Sequence, residues 1–367
     1  MSESAISDRW TNNINYRQLV MSSCIGIVQL WWHPYLHDLR KFIPFVFLYN
    51  VFSVVFGYPL LYLELALGVV TKKGVLNCWD MAPIARGVGF AMIASCALTA
   101  LATGVVSAWC LALFAHSFHA FLPWLHCAAI VHPACAARHR PLPEGSETPS
   151  QSFFFVLGAI RLDGASSMFR ECDWGVLFEG TQIWRDALEY CLVQMTVSQG
   201  VLVMMGSHCP KEQHKLATTA LITFVISKAS CMCSAFVLAA AHGALRRDYD
   251  NETSIWPGTS SSMVLWADFV ARIPGSQFWS ALVFFTLFVV ALSTTGGLYV
   301  VNFIMTWPVS KVRAPIACVF AMVITYIYGQ TTFCEEVYFA VGEYPCVFMR
   351  ISWAIAPVVL LVTNNIA

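Results

Sequence analysis

Apolar stretches alternate with short polar connections along the chain. Eight of them approach or exceed the length that a helix needs to cross a bilayer core of about 30 Å, and they lie at 16–36, 42–70, 87–121, 187–206, 216–245, 278–307, 315–328 and 347–362. The last two are the shortest. The pattern predicts an all-α fold, a polytopic membrane helical bundle of about eight spans. Residues 1–15 would form a polar terminus, and residues 16–367 the transmembrane domain.

The composition also indicates a membrane protein. The chain is 58% hydrophobic and 11% charged, whereas about a quarter of the residues in a soluble domain are charged. Its 21 basic residues balance its 21 acidic residues, and the basic ones are scattered, so nothing favours nucleic acid as a partner. The lipid bilayer is the expected surrounding, and the oligomeric state is left open.

Basic residues near the first spans predict the orientation in the membrane. Arg9 and Arg17 precede the first span or lie at its start, and Lys72, Lys73 and Arg86 lie between the second and the third. Cytoplasmic loops are enriched in lysine and arginine, so both segments are expected inside the cell. This places the amino terminus in the cytoplasm and residues 122–183 in an extracellular loop.

The first two apolar stretches contain a dense set of motifs. They include Leu30-Trp31-Trp32-His33-Pro34-Tyr35-Leu36, Ile43-Pro44-Phe45, Gly57-Tyr58-Pro59-Leu60 and Leu63-Glu64-Leu65-Ala66-Leu67-Gly68. These runs resemble the first two spans of the neurotransmitter:sodium symporter family. Later matches follow in the family's order, at Leu122-Pro123-Trp124, Trp184-Arg185-Asp186-Ala187, Pro274-Gly275-Ser276 and Gly342-Glu343-Tyr344-Pro345. The resemblance implies an inverted-repeat symporter fold and inward transport of amino acids, amines or osmolytes on a sodium gradient.

The chain departs from the family pattern in its number of spans. Between Cys135 and Trp184 only residues 153–162 are apolar, where the family has its fourth and fifth helices. The stretch 278–307 resembles the start of the eighth helix joined to the end of the ninth. Either it bends back within the membrane near Gly296-Gly297, or the topology after Trp307 differs from that of the family. A twelfth helix has no counterpart, so the predicted fold is a partial one.

Oxygen donors near two expected helix breaks are the candidate sodium ligands. In this fold the first and sixth spans are interrupted at mid-membrane, where freed backbone groups bind ions and substrate. The resemblance implies sodium binding by Ser22, Cys24, Ile25, Gln29, Gln194, Ser227, Val290, Ser293 and Thr294. Two glycines of the sixth-span break are replaced, by Thr196 and Ser198. The polar side chains have an alternative interpretation, since serine, threonine and glutamine also form bonds between packed membrane helices.

The resemblance also places substrate-binding positions at Gly26, Thr103 and Val193. Gly26 stands where amine carriers have an aspartate, which favours a small amino acid or osmolyte. The outer gate positions are Trp32 and Met305, where the family has an arginine and an aspartate. Replacing both charged residues with apolar ones can leave the stability unchanged, whereas replacing one alone would leave the other charge buried and unpaired.

Other expectations concern ions, covalent features and Glu64. Phe45 and Cys231 replace a tyrosine and a serine of the family's chloride site, which argues against chloride dependence. The family pattern implies a disulfide between Cys127 and Cys135 in the outer loop, and the sequon at Asn251 predicts glycosylation. Glu64 lies in an apolar helix, where an ionisable group is usually functional, and is expected in a buried network near the first break.

The predicted function is sodium-coupled symport of a small amino acid, neurotransmitter or osmolyte across the plasma membrane. No nucleophile elbow, zinc-protease or phosphate-loop motif is found, so an enzyme is not expected. The alternative is a family member that does not transport and acts as a membrane partner or trafficking subunit, or an incomplete splice form. Helix loss and missing glycines favour this alternative, whereas the remaining oxygen donors favour activity.

Overall fold

The computed structural model describes residues 13–26, 35, 38–119, 122, 172–210, 215–248, 266–267, 269–270, 273, 275–295 and 309–365. The regular structure in these ranges is helical, as predicted. In chain order the helices are α1 (Asn13–Ser23), α2 (Leu39–Phe52), α3 (Tyr58–Thr71), α4 (Arg86–His116), α5 (Val176–Glu179), α6 (Gln182–Gln194), α7 (Val201–Ser207), α8 (Leu216–Asp248), α9 (Ser276–Thr295), α10 (Val309–Met322), α11 (Gln330–Val341) and α12 (Val347–Asn365).

Four of the described helical segments are long and apolar enough to cross a membrane. They are Arg40–Thr71, Pro83–His116, Leu216–Ala239 and Arg313–Val341, and two shorter apolar helices run over Ser276–Ala291 and Val347–Thr363. The remaining two predicted stretches correspond to α1 and to the interrupted pair α6 and α7. The prediction of a helical membrane bundle is confirmed.

One predicted boundary was wrong. The stretch 315–328 was expected to be a short span, but helix continues from Val309 to Val341, because a π-helical turn over Val323–Gly329 joins α10 to α11. The polar residues at the start of α11 had hidden this continuation. The extracellular loop over about residues 122–183 stays a prediction; near its end the short α5 precedes α6, which begins at Gln182.

A second π-helical turn, Ser53–Gly57, joins α2 to α3. Proline lacks a backbone N–H and clashes with the carbonyl four residues earlier, so Pro59 cannot bond to the carbonyl of Val55. The hydroxyl of Ser352 in α12 donates to that carbonyl instead, and the indole N–H of Trp353 donates to the carbonyl of Pro59 at 2.8 Å. The backbone irregularity therefore fixes α12 against the α2–α3 span.

Helix α3 is the centre of the bundle. Every residue from Pro59 to Val69 is buried, as expected of a helix that is apolar all round and enclosed by other helices. It packs against α7, α8, α11 and α12. The closest approach is to α7, where Gly68 and Gly206 meet: a Cβ built on Gly206 would lie 2.2 Å from the carbonyl oxygen of Leu65. Only glycine permits this crossing of the two backbones.

Helix α4 forms a second packing layer. It lies against α9 along much of its length, and α10 contacts α4, α6 and α12. The loop between α3 and α4 is held by Asp80, whose carboxylate accepts from Lys73 at 2.8 Å and from Arg86 at 2.9 Å. These two hydrogen bonds lower the pKa of Asp80 below its ordinary value.

Candidate functional site

The candidate site is built around an interruption between α6 and α7. The backbone from Met195 to Gly200 is not helical, and its φ angles are positive at Thr196 (53°), Ser198 (66°) and Gly200 (74°). A left-handed conformation is unfavourable for residues other than glycine by about 1–2 kcal/mol each, and β-branched threonine suits it least. The break is therefore retained at the two positions where the family's glycines are replaced, and it is strained there.

Glu64 of α3 supports this break. Its Oε1 accepts a hydrogen bond from the backbone N–H of Ser198 at 2.6 Å, and the residue is fully buried. A buried N–H without a partner costs about 1–3 kcal/mol, so this bond replaces the helical partner that Ser198 lacks. Glu64 was expected in a buried network near the first break. It bonds directly to the second break, which Cys24, just beyond α1, also contacts.

The end of α1 lies against the same break. Beyond Ser23 the hydrogen bonds span three residues instead of four. The Cys24 N–H donates to the Met21 carbonyl at 3.1 Å, and the Ile25 N–H donates to the Ser22 carbonyl at 3.3 Å. The Cys24 thiol faces the Met195 carbonyl at 3.8 Å. Two interrupted helices thus place backbone from both segments in one buried region.

Helix α8 contributes a hydroxyl to this region. The Oγ of Ser227, fully buried, donates to the carbonyl of Cys24 at 3.0 Å. Gln194, the last residue of α6, is 2% exposed and directly precedes Met195 and Thr196, both of which the Cys24 thiol contacts. Carbonyl, hydroxyl and amide oxygens are the groups that coordinate sodium at broken helices, so the donors present in this region suit that ion.

The remaining candidate positions lie in different surroundings. Thr103 is buried in α4, and its hydroxyl donates back along the helix to the Thr99 carbonyl at 3.1 Å. Val193 of α6 packs into a cluster formed by α4 and α9, to which Val290 also belongs. Gly26 is half-buried directly after the end of α1. Phe45, at the expected chloride site, packs its ring on Tyr190 with centroids 5.5 Å apart.

Several predicted residues lie outside the part of the chain that the structure describes. They are Gln29, Trp32, Cys127, Cys135, Asn251 and Met305, together with the expected bend at Gly296-Gly297. Ser293 and Thr294 belong to the helical backbone of α9, and only that backbone is described. The sodium ligand Gln29, the second-site hydroxyls, the outer gate, the disulfide and the glycosylation site therefore stay predictions.

Sequence reasoning missed three ionisable residues inside the bundle. The ammonium of Lys228 in α8 donates to Ser53 at 3.2 Å and lies 3.4 Å from the ring centroid of Tyr49. Glu189 of α6 and Arg313 of α10 are 4% and 1% exposed. The signal was available for Lys228 and Glu189, which lie within predicted spans, because an ionisable residue at membrane depth is rare and usually functional, but only Glu64 was singled out.

Comparison with known proteins identifies a family and relatives of this chain. The model of the sodium:neurotransmitter symporter family matches residues 7–154 and 151–295. The sodium-dependent dopamine transporter of Bos taurus is 30% identical over 167 residues, which are 44% of this chain and 24% of that protein. The sodium-dependent neutral amino acid transporter B(0)AT1 of Mus musculus is 25% identical over 209 residues, 57% of this chain and 32% of that protein. The alignments thus span only about a quarter and about a third of these relatives.

A solved structure shares the architecture. The crystal structure of MhsT in complex with L-phenylalanine superposes with a TM-score of 0.77 at 15% identity, covering 97% of this chain and 98% of that one. The fold and the paired helix breaks define a multi-pass membrane protein with the inverted-repeat symporter fold. The chain belongs to the sodium:neurotransmitter symporter family, because the family model matches more than half of it.

Proposed function

We propose that the protein is a sodium-coupled symporter of a small amino acid, neurotransmitter or osmolyte, acting in the plasma membrane. The observation that carries the proposal is the meeting of two helix breaks: the end of α1 contacts the break after α6, and Ser227 reaches the Cys24 carbonyl at 3.0 Å. Backbone without helical partners at membrane depth is costly unless protein or ligand satisfies it. The meeting of non-helical backbone from two breaks in one buried region favours a site for ions and solute there.

In the proposed mechanism, sodium binds the oxygen donors of Cys24, Gln194 and Ser227, with Gln29 as a further ligand. The ion would hold the broken helices in an outward-open form until solute binds near Gly26 and Thr103. The helices with breaks, α1 and α6–α7, would then move against the scaffold, exposing the solute to the other side of the membrane.

The experiment is uptake of a labelled mixture of amino acids and osmolytes by cells expressing the chain, in sodium medium and in choline medium. The proposal expects uptake above mock cells in sodium only. Ser227→Ala should reduce it at least several-fold, since a hydroxyl at the ion site is removed. Ser117→Ala is the matched control, because that buried hydroxyl bonds within its own helix, to the Leu113 carbonyl at 2.7 Å. Equal uptake in both media, with surface expression verified, refutes symport.

One observation favours the second candidate function, a membrane partner that does not transport. The Ser227 hydroxyl satisfies the freed Cys24 carbonyl from within the protein, so the region can be stable in one conformation. This candidate predicts no sodium-dependent uptake of any solute in the mixture. It also predicts that exchanging sodium for choline leaves the thermal stability of the purified protein unchanged.

A further inference from the structure

Arg313 of α10 is an arginine that the bundle encloses. It is the first residue of the apolar segment Arg313–Val341 and is 1% exposed. A charged side chain in such a place is costly, and it is found where groups inside the protein satisfy it. The partners of its guanidinium therefore show which parts of the bundle this residue connects.

The guanidinium has one partner on α4 and one in the break between α6 and α7. Its Nη2 donates to the Thr99 hydroxyl at 2.5 Å, and that hydroxyl donates in turn to the Ser95 carbonyl at 2.8 Å. With the Gln199 amide oriented so that its oxygen faces the guanidinium, the oxygen accepts from Nη1 at 2.9 Å and from Nη2 at 2.7 Å. Arg313 thus bridges α4 and the break through two uncharged acceptors.

These partners belong to parts of the bundle with different roles in the proposed mechanism. Gln199 lies two residues before α7, which packs against α3 and α1. Thr99 and Arg313 belong to α4 and α10, which pack against each other, and α4 also lies along α9. In the proposed transport cycle α1 and α6–α7 move against the scaffold that contains α4 and α10. The guanidinium therefore connects a moving part of the bundle to a stationary one.

We propose that Arg313 and Gln199 form a lock that holds α7 against the scaffold, and that their two hydrogen bonds break whenever α7 moves away. The inference rests on the proposed transport function, because that function requires α7 to move. The planar guanidinium can donate two N–H groups to the Gln199 oxygen and still reach Thr99, which the ammonium of a lysine could not do equally well. A neutral amide oxygen makes the lock weaker than a carboxylate would, since hydrogen bonds between two charged groups are roughly twice as strong. The lock can therefore open during a cycle. Arg313 and Gln199 are positioning residues, which act on the site through α7.

The test uses buried cysteines of the chain as reporters of opening. Cys24, beside the break, and Cys209, just beyond α7, are 1% and 2% exposed, so a thiol reagent reaches them only when this region opens. Cys110 of α4 and Cys334 of α11 are fully buried and report a general loosening of the bundle. The purified full-length chain in detergent, without sodium or solute, is treated with N-ethylmaleimide. Mass spectrometry of its peptides then gives the labelling rate of each cysteine.

Removal of the guanidinium should open the lock. Arg313→Gln should raise the labelling rates of Cys24 and Cys209 at least tenfold, a factor that corresponds to about 1.4 kcal/mol in the opening equilibrium, and should leave the two control cysteines unchanged. Arg313→Lys should give an intermediate increase, because an ammonium lacks the planar fork. Arg350→Gln is the matched control, because this arginine belongs to α12, and it should change none of the four rates.

A second variant strengthens the lock and decides the question even if Arg313→Gln does not fold. In Gln199→Glu a carboxylate accepts from the guanidinium, so both reporter rates should fall several-fold below those of the parent. A residue that only supports packing would not slow labelling in this way. Unchanged reporter rates in folded Arg313→Gln overturn the proposal, as does an equal rise at all four cysteines or a Gln199→Glu variant that is labelled as fast as the parent. Labelling requires neither sodium nor solute, so a lock found in a chain without sodium-dependent uptake would refute the transport function alone.

Discussion

The glycine pair where α3 crosses α7 gives the sharpest test of the packing. In Gly206→Ala the new Cβ would lie 2.2 Å from the Leu65 carbonyl oxygen and 3.0 Å from the Cα of Gly68. Both neighbours are backbone atoms, so no side-chain rotation relieves the contact. Cβ atoms essentially never come closer than 3.0 Å to another heavy atom. To restore that distance between the new Cβ and the Leu65 oxygen, the two helices must separate by about 0.8 Å.

The expected loss of stability follows from two opposing effects. Overpacking in a well-packed core costs about 1–3 kcal/mol, and alanine in place of a helical glycine returns roughly 0.5–1 kcal/mol. The separation also pulls on the 2.6 Å bond between Glu64 and Ser198, because Glu64 is one turn from Gly68 and Ser198 lies just before α7. The two effects leave a net cost of up to about 2.5 kcal/mol, to which the weakened Glu64–Ser198 bond adds. We expect Gly206→Ala to be less stable than the parent, with a melting temperature lower by a few degrees.

The assay is the thermal stability of detergent-solubilised protein, followed by fluorescence-detected size exclusion after heating. Gly87→Ala is the matched control, because this glycine of α4 has no heavy atom within 4 Å of a new Cβ. Its stability should stay the same or rise slightly. The reasoning is refuted if Gly206→Ala is as stable as the parent, or if Gly87→Ala loses as much.

Three further predictions concern the break and the α3–α4 loop. Thr196→Gly should raise thermal stability by about 1 kcal/mol, since glycine adopts its positive φ freely; a fall would contradict the strain. Glu64→Ala should cost about 1–3 kcal/mol and Glu64→Gln less, because glutamine still offers Ser198 an acceptor; equal losses would show that the bond contributes nothing. The pKa of Asp80 is lowered in the folded protein, so its stabilisation is present above the unfolded value of 3.8 and is lost as pH falls below it. Asp80→Asn should flatten this acid-induced loss in a pH series of melting curves, and an unchanged slope would rule out that role.

The apolar pattern was sufficient to predict most of the bundle. Stretches such as 42–70 and 216–245 agree closely with helices of the structure, because an apolar run of this length has few alternatives in a bilayer. The failure at α10 and α11 has a physical cause. Polar residues such as Gln330 and Glu336 end the hydropathy signal, but they belong to α11, which the π-helical turn over Val323–Gly329 joins to α10.

The candidate site was less accessible to sequence reasoning. Cys24 and Ser227 are 203 positions apart, and their pairing followed from a family resemblance rather than from local pattern. Arg313 lies just before the apolar run 315–328, so the hydropathy pattern does not place it in a span. Its contacts with Thr99 and Gln199 depend on the packing of α10 against α4 and the break, which no local pattern encodes.

The break between α6 and α7 shows how the fold compensates for lost glycines. Two non-glycine residues in left-handed conformation, Thr196 and Ser198, cost about 2–4 kcal/mol together. Without contacts to the rest of the protein, the helix would be expected to continue through these two residues. The hydrogen bond from Ser198 to Glu64 offsets about 0.5–3 kcal/mol of that cost, and the close contact of Gly68 with Gly206 fixes α7 where α3 can supply the acceptor. The break is therefore imposed by α3, through one carboxylate and one glycine crossing, rather than by the flexibility of its own residues.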